Sequence, residues 1–571
     1  MSVWVLLGIV MGGYWLAYHT VGRYLAQKIF KLDANNPVPS RTHADGCDYV
    51  ASEKPVMFGH HFTSIAGTGP IVGPAIGVIW GWLPAVLWVF FGAVFMGAVH
   101  DFASLVISVR HHGRSVSWLI GQYVGPRVRH VFFILVFLAL LIVIAIFGMI
   151  IALIFAQFPQ SVLPVWFEIP IAIGLGYCTM KFRFKLGVMT AIAVGIMYAT
   201  VVLGAYVPIR LPDVSWMPAT GSWTLILLAY AYVASTLPVQ TLMQPRDFMN
   251  AWQLYIALGL IVLGIIAAGP GVSMTAPAVQ LAPTGAPSLW PFLCITIACG
   301  AISGFHCLVC SGTSSKQLAA ETDAKLVGYG SMLVESALAV IVIVAVTAGL
   351  SLAYTHNGSV LTGLNAWSVH YGSWAASAGL ASKLSAVVVG CANFLAYLGI
   401  SQPIAYAIIG VFIASFAGTT LDTATRIQRY ILSEWGAGIP ALQNRWISTA
   451  VVIGSAAVVA FSSGVNGTGA LALWPLFGAV NQVLAGLALL VATLYLRKKT
   501  RIAWLVTGIP CGAMMGIALW ASILNQAQFM QSFNSLLSGL NGVILILVLI
   551  IGVELVGVFL QRKRGIINFI Q

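Results

Sequence analysis

The stretch Gly304-Phe305-His306-Cys307-Leu308-Val309-Cys310-Ser311-Gly312-Thr313-Ser314-Ser315 puts two thiols, an imidazole and four hydroxyls into twelve positions. Cys307 and Cys310 are three apart, so on a helix both face one side and could share a metal ion with His61, His100 or His306. A lone Cys-x-x-Cys without a second pair at ligand spacing is weak support for a metal, and packing cysteines beside hydrogen-bonding histidines are the plainer reading. No resident metal or cofactor is therefore expected. The hydroxyls suit another chemistry: Ser311, Thr313 and Ser314, with freed backbone carbonyls, make an all-oxygen site for a hard cation such as sodium. A titrating alternative is the neighbouring pair His100 and Asp101, which would exchange protons as a unit. Adjacent residues do not face each other on a helix, so at most one of the pair is expected to point into a cavity.

Asp422, among Thr419, Thr420 and Thr423, offers a third candidate ion site, although Arg426 four residues on allows a structural ion pair instead. Glu335 and Glu554 also fall inside apolar segments; Glu554 is expected to pair with Arg562 or Arg564.

Helix interruptions would expose backbone groups beside such side chains. Ala66-Gly67-Thr68-Gly69-Pro70-Ile71 matches Ala234-Ser235-Thr236-Leu237-Pro238-Val239 at Ala, Thr, Pro and a β-branched residue. The two stretches fall in the second and seventh apolar segments, an odd offset that an inverted five-plus-five repeat requires. His61 stands six residues before Gly67-Thr68, and His306 six before Gly312-Thr313, so the third stretch is expected beside the first. Candidate substrate-binding residues are thus His61, Gly67, Thr68, Gly69, Pro70, Ser235, Thr236, Pro238, Gln240, His306, Ser311 and Thr313. Candidate ion-coupling residues are His100, Asp101, Ser314, Thr419, Thr420 and Asp422.

The elements that must position them are membrane helices. Of 571 residues 60% are hydrophobic and 7% charged, against about 25% charged in soluble proteins. The net charge of +13 comes from bases scattered between apolar blocks, which excludes a nucleic-acid-binding face. About 20 apolar residues cross a bilayer, and Val131–Phe155 exceeds this without a charge or proline. Fifteen segments qualify, beginning near 3, 62, 83, 131, 163, 187, 221, 251, 291, 328, 404, 447, 470, 503 and 541. An N-terminus outside and a C-terminus inside puts 25 of the 27 Lys and Arg in cytoplasmic loops, leaving Arg210 and Lys383 outside. Residues 382–398 then read as a half-span or external helix. The expected organisation is an N-terminal extra helix (1–31), a cytoplasmic loop (32–58), a first repeat (59–210), a second repeat (211–432) and C-terminal extra spans (433–571). The fold class is all-α and polytopic, with an inverted-repeat core of discontinuous helices. No P-loop signature accompanies it, so ion or substrate gradients are the expected energy source.

PVMFGHHFTSIAGTGPIVGPAIG at 55–77, GAVHDFASLVISVRHHGRS at 97–115, LPVQTLMQPRDFMN at 237–250, SGFHCLVCSGTSSKQL at 303–318 and TTLDTATRIQRYIL at 419–432 resemble the carbon starvation protein A family of peptide transporters. The chain departs from that pattern at His100, where glutamine would be expected, and at Cys307 and Cys310, where Ala and Ser would be. The resemblance implies an inner-membrane importer of peptides or of pyruvate, coupled to protons or to sodium and embedded in lipid, with the N-terminus periplasmic. A metal or redox protein built on His61, His100, His306, Cys307 and Cys310, and a nutrient sensor, are the other function classes.

Overall fold

In lipid every backbone donor and acceptor needs an internal partner, so apolar runs of this length become helices. The computed structural model describes residues 1–182, 184–499 and 501–563, and each of the fifteen expected segments is helical there. Arg183 and Arg564, two of the bases counted above, lie outside the described residues. Among the described residues eleven helices are long and apolar enough to cross a bilayer, or twelve if one bent pair counts as a single span.

The chain starts with α1 (Val3–Ile29) and, after a loop, enters the bent pair α2 (Lys54–Ala66) and α3 (Gly69–Trp80), inclined by 42°. It continues through α4 (Trp82–Arg110), α5 (Pro126–Gln157), α6 (Val162–Met180), α7 (Leu186–Tyr206), α8 (Ala219–Thr236) and α9 (Met243–Ala268). A second interrupted element comes next: α10 (Leu289–Thr296), seven non-helical residues, then α11 (Gly304–Gly312). Beyond it lie α12 (Glu321–Gly349), the shorter α13 (Leu380–Ala396) and α14 (Gln402–Trp435). The chain ends in α15 (Arg445–Phe461), α16 (Gly469–Lys499), α17 (Leu505–Gln531) and α18 (Ser535–Lys563).

α5 runs along α14 through the centre, and the packing around them is paired. α9 packs on α2 as α16 packs on α11; α8 packs on α5 as α15 packs on α14; α12 packs on α3 as α4 packs on α11.

One interruption lies where the sequence placed it and the other does not. Residues 67–68 separate α2 from α3, but Ser235 and Thr236 are the last turn of α8, and Leu237–Leu242 form the turn into α9. The Ala-x-Thr-x-Pro match therefore pairs a mid-span break with a helix end. Proline withholds a backbone donor in both settings, but the chain runs on as a helix through Pro70 and as a turn through Pro238. The second mid-span interruption is residues 297–303.

Two faces are distinguishable. The segment before α2 joins the α8–α9 turn (Val239 N to Cys47 O, 3.1 Å) and the turn after α11 (Val50 N to Lys316 O, 3.2 Å). The opposite face carries the N-terminus, tied to the loop before α10 by Val3 N to Val272 O and Met274 N to Met1 O, both 3.1 Å.

Candidate functional site

At the first interruption Gly67 has φ +32°, and a Cβ there would lie 2.6 Å from Thr420 Oγ1 and 2.9 Å from the Phe147 ring. Only glycine lets α2 approach α5 and α14 this closely. Helix ends leave carbonyls and amides without intrahelical partners, and the oxygens nearest this break come from α14: Thr420 Oγ1 donates to Ser64 O (3.4 Å), and Ser64 Oγ and Thr423 Oγ1 are 3.2 Å apart. The expected donors from α11 are engaged elsewhere. Ser311 Oγ donates to Cys307 O and accepts from Val116 N, Thr313 Oγ1 donates to Val309 O, and Ser314 Oγ lies 2.7 Å from His61 Nδ1. His61 and Ser314 thus bring the two His-spaced motifs together, yet the motifs are not equivalent: Gly67-Thr68 breaks a span, whereas Gly312-Thr313 ends α11.

Two buried charged networks flank α2. The first joins α4, α11 and α12. Asp101 accepts from His100 Nδ1 at one oxygen (2.7 Å) and from His306 Nδ1 at the other (2.9 Å). Sequence neighbours do meet here, because the His100 ring folds back onto the carboxylate beside it. The far nitrogen of His306 lies 3.3 Å from Glu335 Oε2, and Glu335 Oε1 accepts from Gly300 N at 3.2 Å, inside the second interruption. Four titratable side chains, linked by hydrogen bonds except at the 3.3 Å His306–Glu335 ion pair, therefore end on the backbone of a broken helix. Gly300 itself needs glycine, with φ +83° and Ala339 packed against it. His306, expected to touch substrate, belongs to this acid–imidazole string.

The second network joins α8, α9 and α14. Arg246 pairs with Asp422 and Tyr230, and reaches Asp247 (3.3 Å) and Thr419 (3.2 Å). His60 Nδ1 donates to Asp247 Oδ2 (2.6 Å), and Glu168 of α6 accepts from Ser415 (2.5 Å) beside the small cavity that Arg246 also lines. Asp422 thus pairs with Arg246, not with Arg426, which is itself buried and binds Asp48 at 2.8 Å as well as the Leu237 carbonyl. The positive-inside count had assigned Arg246 to a loop. Glu168, Asp247, His60 and Tyr230 are not among the expected site residues; two signals were available, Glu168 as an acid inside the apolar segment near 163 and the Arg-Asp pair abutting an apolar run. Glu554 pairs with Arg127 at 3.4 Å.

Ser235, Thr236, Pro238 and Gln240 lie at the α8–α9 turn. Of these, Gln240 lines a separate cavity with Ala51, Ser52 and Gln244. The metal reading finds no geometry: Cys307 Sγ donates to Gly304 O, Cys310 Sγ to Asp101 O, and among the described residues no three His, Cys, Asp or Glu converge to hold an ion.

Both interruptions border one cavity of about 430 Å³, lined by Gly69 and Gly73 of α3, by Thr296 at the end of α10 and by Ala298 and Cys299 of the second interruption. It lies toward the face that carries the N-terminus, against Trp374 and residues 285–287. Thr68 and Pro70 flank its α3 wall, with Thr68 O accepting from Ile71 N and Val72 N.

The family described as Carbon starvation protein CstA matches residues 1–521. Peptide transporter CstA of Mycobacterium tuberculosis is 33% identical across 91% of this chain and 75% of its own length. Pyruvate/proton symporter BtsT of Escherichia coli is 32% identical across 91% and 81%, and Peptide transporter CstA of Bacillus subtilis 29% identical across 94% and 93%. Among solved structures, that of MhsT with L-phenylalanine aligns over 81% of this chain and 99% of its own at TM-score 0.47 and 12% identity.

Proposed function

We propose that this chain, which belongs to the carbon starvation protein CstA family, is a proton-coupled importer of peptides and of small carboxylates such as pyruvate. Its place is the inner membrane, with the N-terminus periplasmic and the basic loops cytoplasmic, an orientation that the distribution of Lys and Arg supports. The paired packing supports two inverted repeats, α2–α3, α4, α5, α8, α9 and α10–α11, α12, α14, α15, α16. They span residues 54–268 and 289–499 in place of 59–210 and 211–432, with α6–α7 and α13 inserted. Substrate binds between the two interruptions, where the Gly69 amide at the start of α3 receives a carboxylate, Ile71 N and Val72 N being held by Thr68 O.

The observation that carries the coupling is the string His100–Asp101–His306–Glu335–Gly300 N. Taking up a proton on this string weakens the hold of Glu335 on the backbone at the second interruption, so proton binding and the shape of the substrate site depend on each other. Asp101 is the central acceptor. Asp101→Asn should abolish accumulation driven by a proton gradient while leaving exchange of labelled substrate measurable in proteoliposomes. Normal proton-driven accumulation by that variant refutes the assignment.

One observation favours a second ion. Ser64, Thr420 and Thr423 place hard oxygens at the Gly67 break, which suits sodium. Uptake that responds to an imposed sodium gradient alone would select it.

A further inference from the structure

The cavity that borders both interruptions is closed on its far side by α17, a helix outside the paired packing of the two repeats. Asn525 and Gln528 of α17 line it together with Phe292, Trp374, Trp474 and Phe477. None of the lining residues is charged. Asn525 is 4% exposed, and its amide nitrogen finds no acceptor among the described residues. A donor buried in this way is costly unless something else supplies the acceptor. Gln528, three residues on, shares the same face of α17 and brings a second amide about one helical turn away.

We propose that Asn525 and Gln528 form a subsite that reads the peptide bond of a substrate on its way to the interruptions, so that α17 favours peptides over small carboxylates. Asn525 Nδ2 donates to the peptide carbonyl, and Gln528 Oε1 accepts from the peptide N–H. The aromatic walls take the neighbouring side chains. A three-carbon acid held by its carboxylate at the start of α3 has no N–H for Gln528 Oε1, whereas the secondary amide of a peptide matches both side-chain amides. The volume also fits: about 430 Å³ lies within the roughly 300–1,000 Å³ of pockets that enclose larger ligands and exceeds what a three-carbon acid fills. This inference rests on the transport reading above and deepens it.

The test is uptake of labelled dialanine and of labelled pyruvate into proteoliposomes containing the full chain. Asn525→Leu should lower the dialanine-to-pyruvate ratio of kcat/KM about tenfold, the effect of one lost hydrogen bond to substrate. Dialanine with a thioamide in place of its peptide bond, a weaker acceptor, should lose affinity in the parent protein and lose no more in Asn525→Leu. Gln528→Leu, at an exposed position, repeats the test if Asn525→Leu does not reach the membrane. A ratio unchanged in both variants, or an equal fall for both substrates, overturns the subsite. Parent vesicles that take up pyruvate but no dialanine overturn it while leaving transport intact. Vesicles that take up neither overturn the transport reading and the subsite with it.

Discussion

The two buried networks on either side of α2 have similar depth and different composition. The α8–α9–α14 network is built around Arg246, a guanidinium that stays charged at any physiological pH, with Asp422 and Asp247 against it. The α4–α11–α12 network has no fixed cation: Asp101 and Glu335 face each other across His306, and every member can gain or lose a proton. The first is a strut that ties α9 to α14. The second can change its charge, and it ends on the backbone of an interrupted helix. α2 divides them, since His60 and its neighbour His61 point about 100° apart around the helix, one to Asp247 and the other to Ser314. Under the proton-coupled reading proposed above, holding falls to one cluster and coupling to the other, and arginine marks the difference between them.

The largest expected effect falls on the strut. Arg246→Ala strands two carboxylates away from water and should cost about 3–5 kcal/mol, the usual loss on removing one partner of a buried pair. In detergent this reads as a fall in melting temperature or loss of folded protein, with Arg246→Lys recovering part of it. If Arg246→Ala melts like the parent, the distinction between the networks fails.

Gly67→Ala acts at the partition between them. Its Cβ would lie 2.6 Å from Thr420 Oγ1 on a backbone with positive φ, so about 2–3 kcal/mol of combined strain and overpacking is expected. Uptake should fall before expression does. Gly8→Ala, where a Cβ meets nothing within 4 Å, is the control.

Glu335→Gln sharpens the comparison from the other side. The amide keeps the shape and loses the titration, so proton-driven accumulation should drop about tenfold, equivalent to roughly 1.4 kcal/mol. The melting temperature should move little. A variant that loses stability and keeps accumulation would make this network a strut as well.

The smallest effect belongs to an ion pair outside the membrane. Burial opposes ionisation of Asp48, but the Arg426 and Arg429 guanidinium groups outweigh it and hold the carboxyl below its ordinary value. A carboxyl lowered on folding contributes stability that is complete above its unfolded pKa, about 3.9, and is lost as pH falls through the lowered folded value. Asp48→Asn keeps an acceptor for the buried Arg426 guanidinium while removing the charge, so it should cost about 1 kcal/mol at neutral pH and flatten the acid limb of a plot of melting temperature against pH.

Local patterns were readable from the chain alone. Apolar runs marked where the long helices lie, of which eleven or twelve among the described residues are long and apolar enough to cross a bilayer, because hydrophobicity over about 20 residues decides whether a segment enters lipid. The break at Gly67 was legible because glycine and proline end helices by their own covalent geometry. Asp101, His100, His306 and Glu335 stood out because an ionisable group in an apolar run needs a reason. Partners were not legible. Arg246 looked like a loop base, and only the packing of α9 on α14 shows it gripping Asp422, 176 residues away. Asp422 had a ready partner four residues on, yet Arg426 faces the other way, to Asp48. Ser235 to Val239 repeated the letters of a mid-span break while ending a helix. Hydropathy and backbone propensity act within a few turns of chain, so the sequence carries them openly. Which charge meets which depends on where helices cross, and that is settled by the packing of segments far apart in the chain.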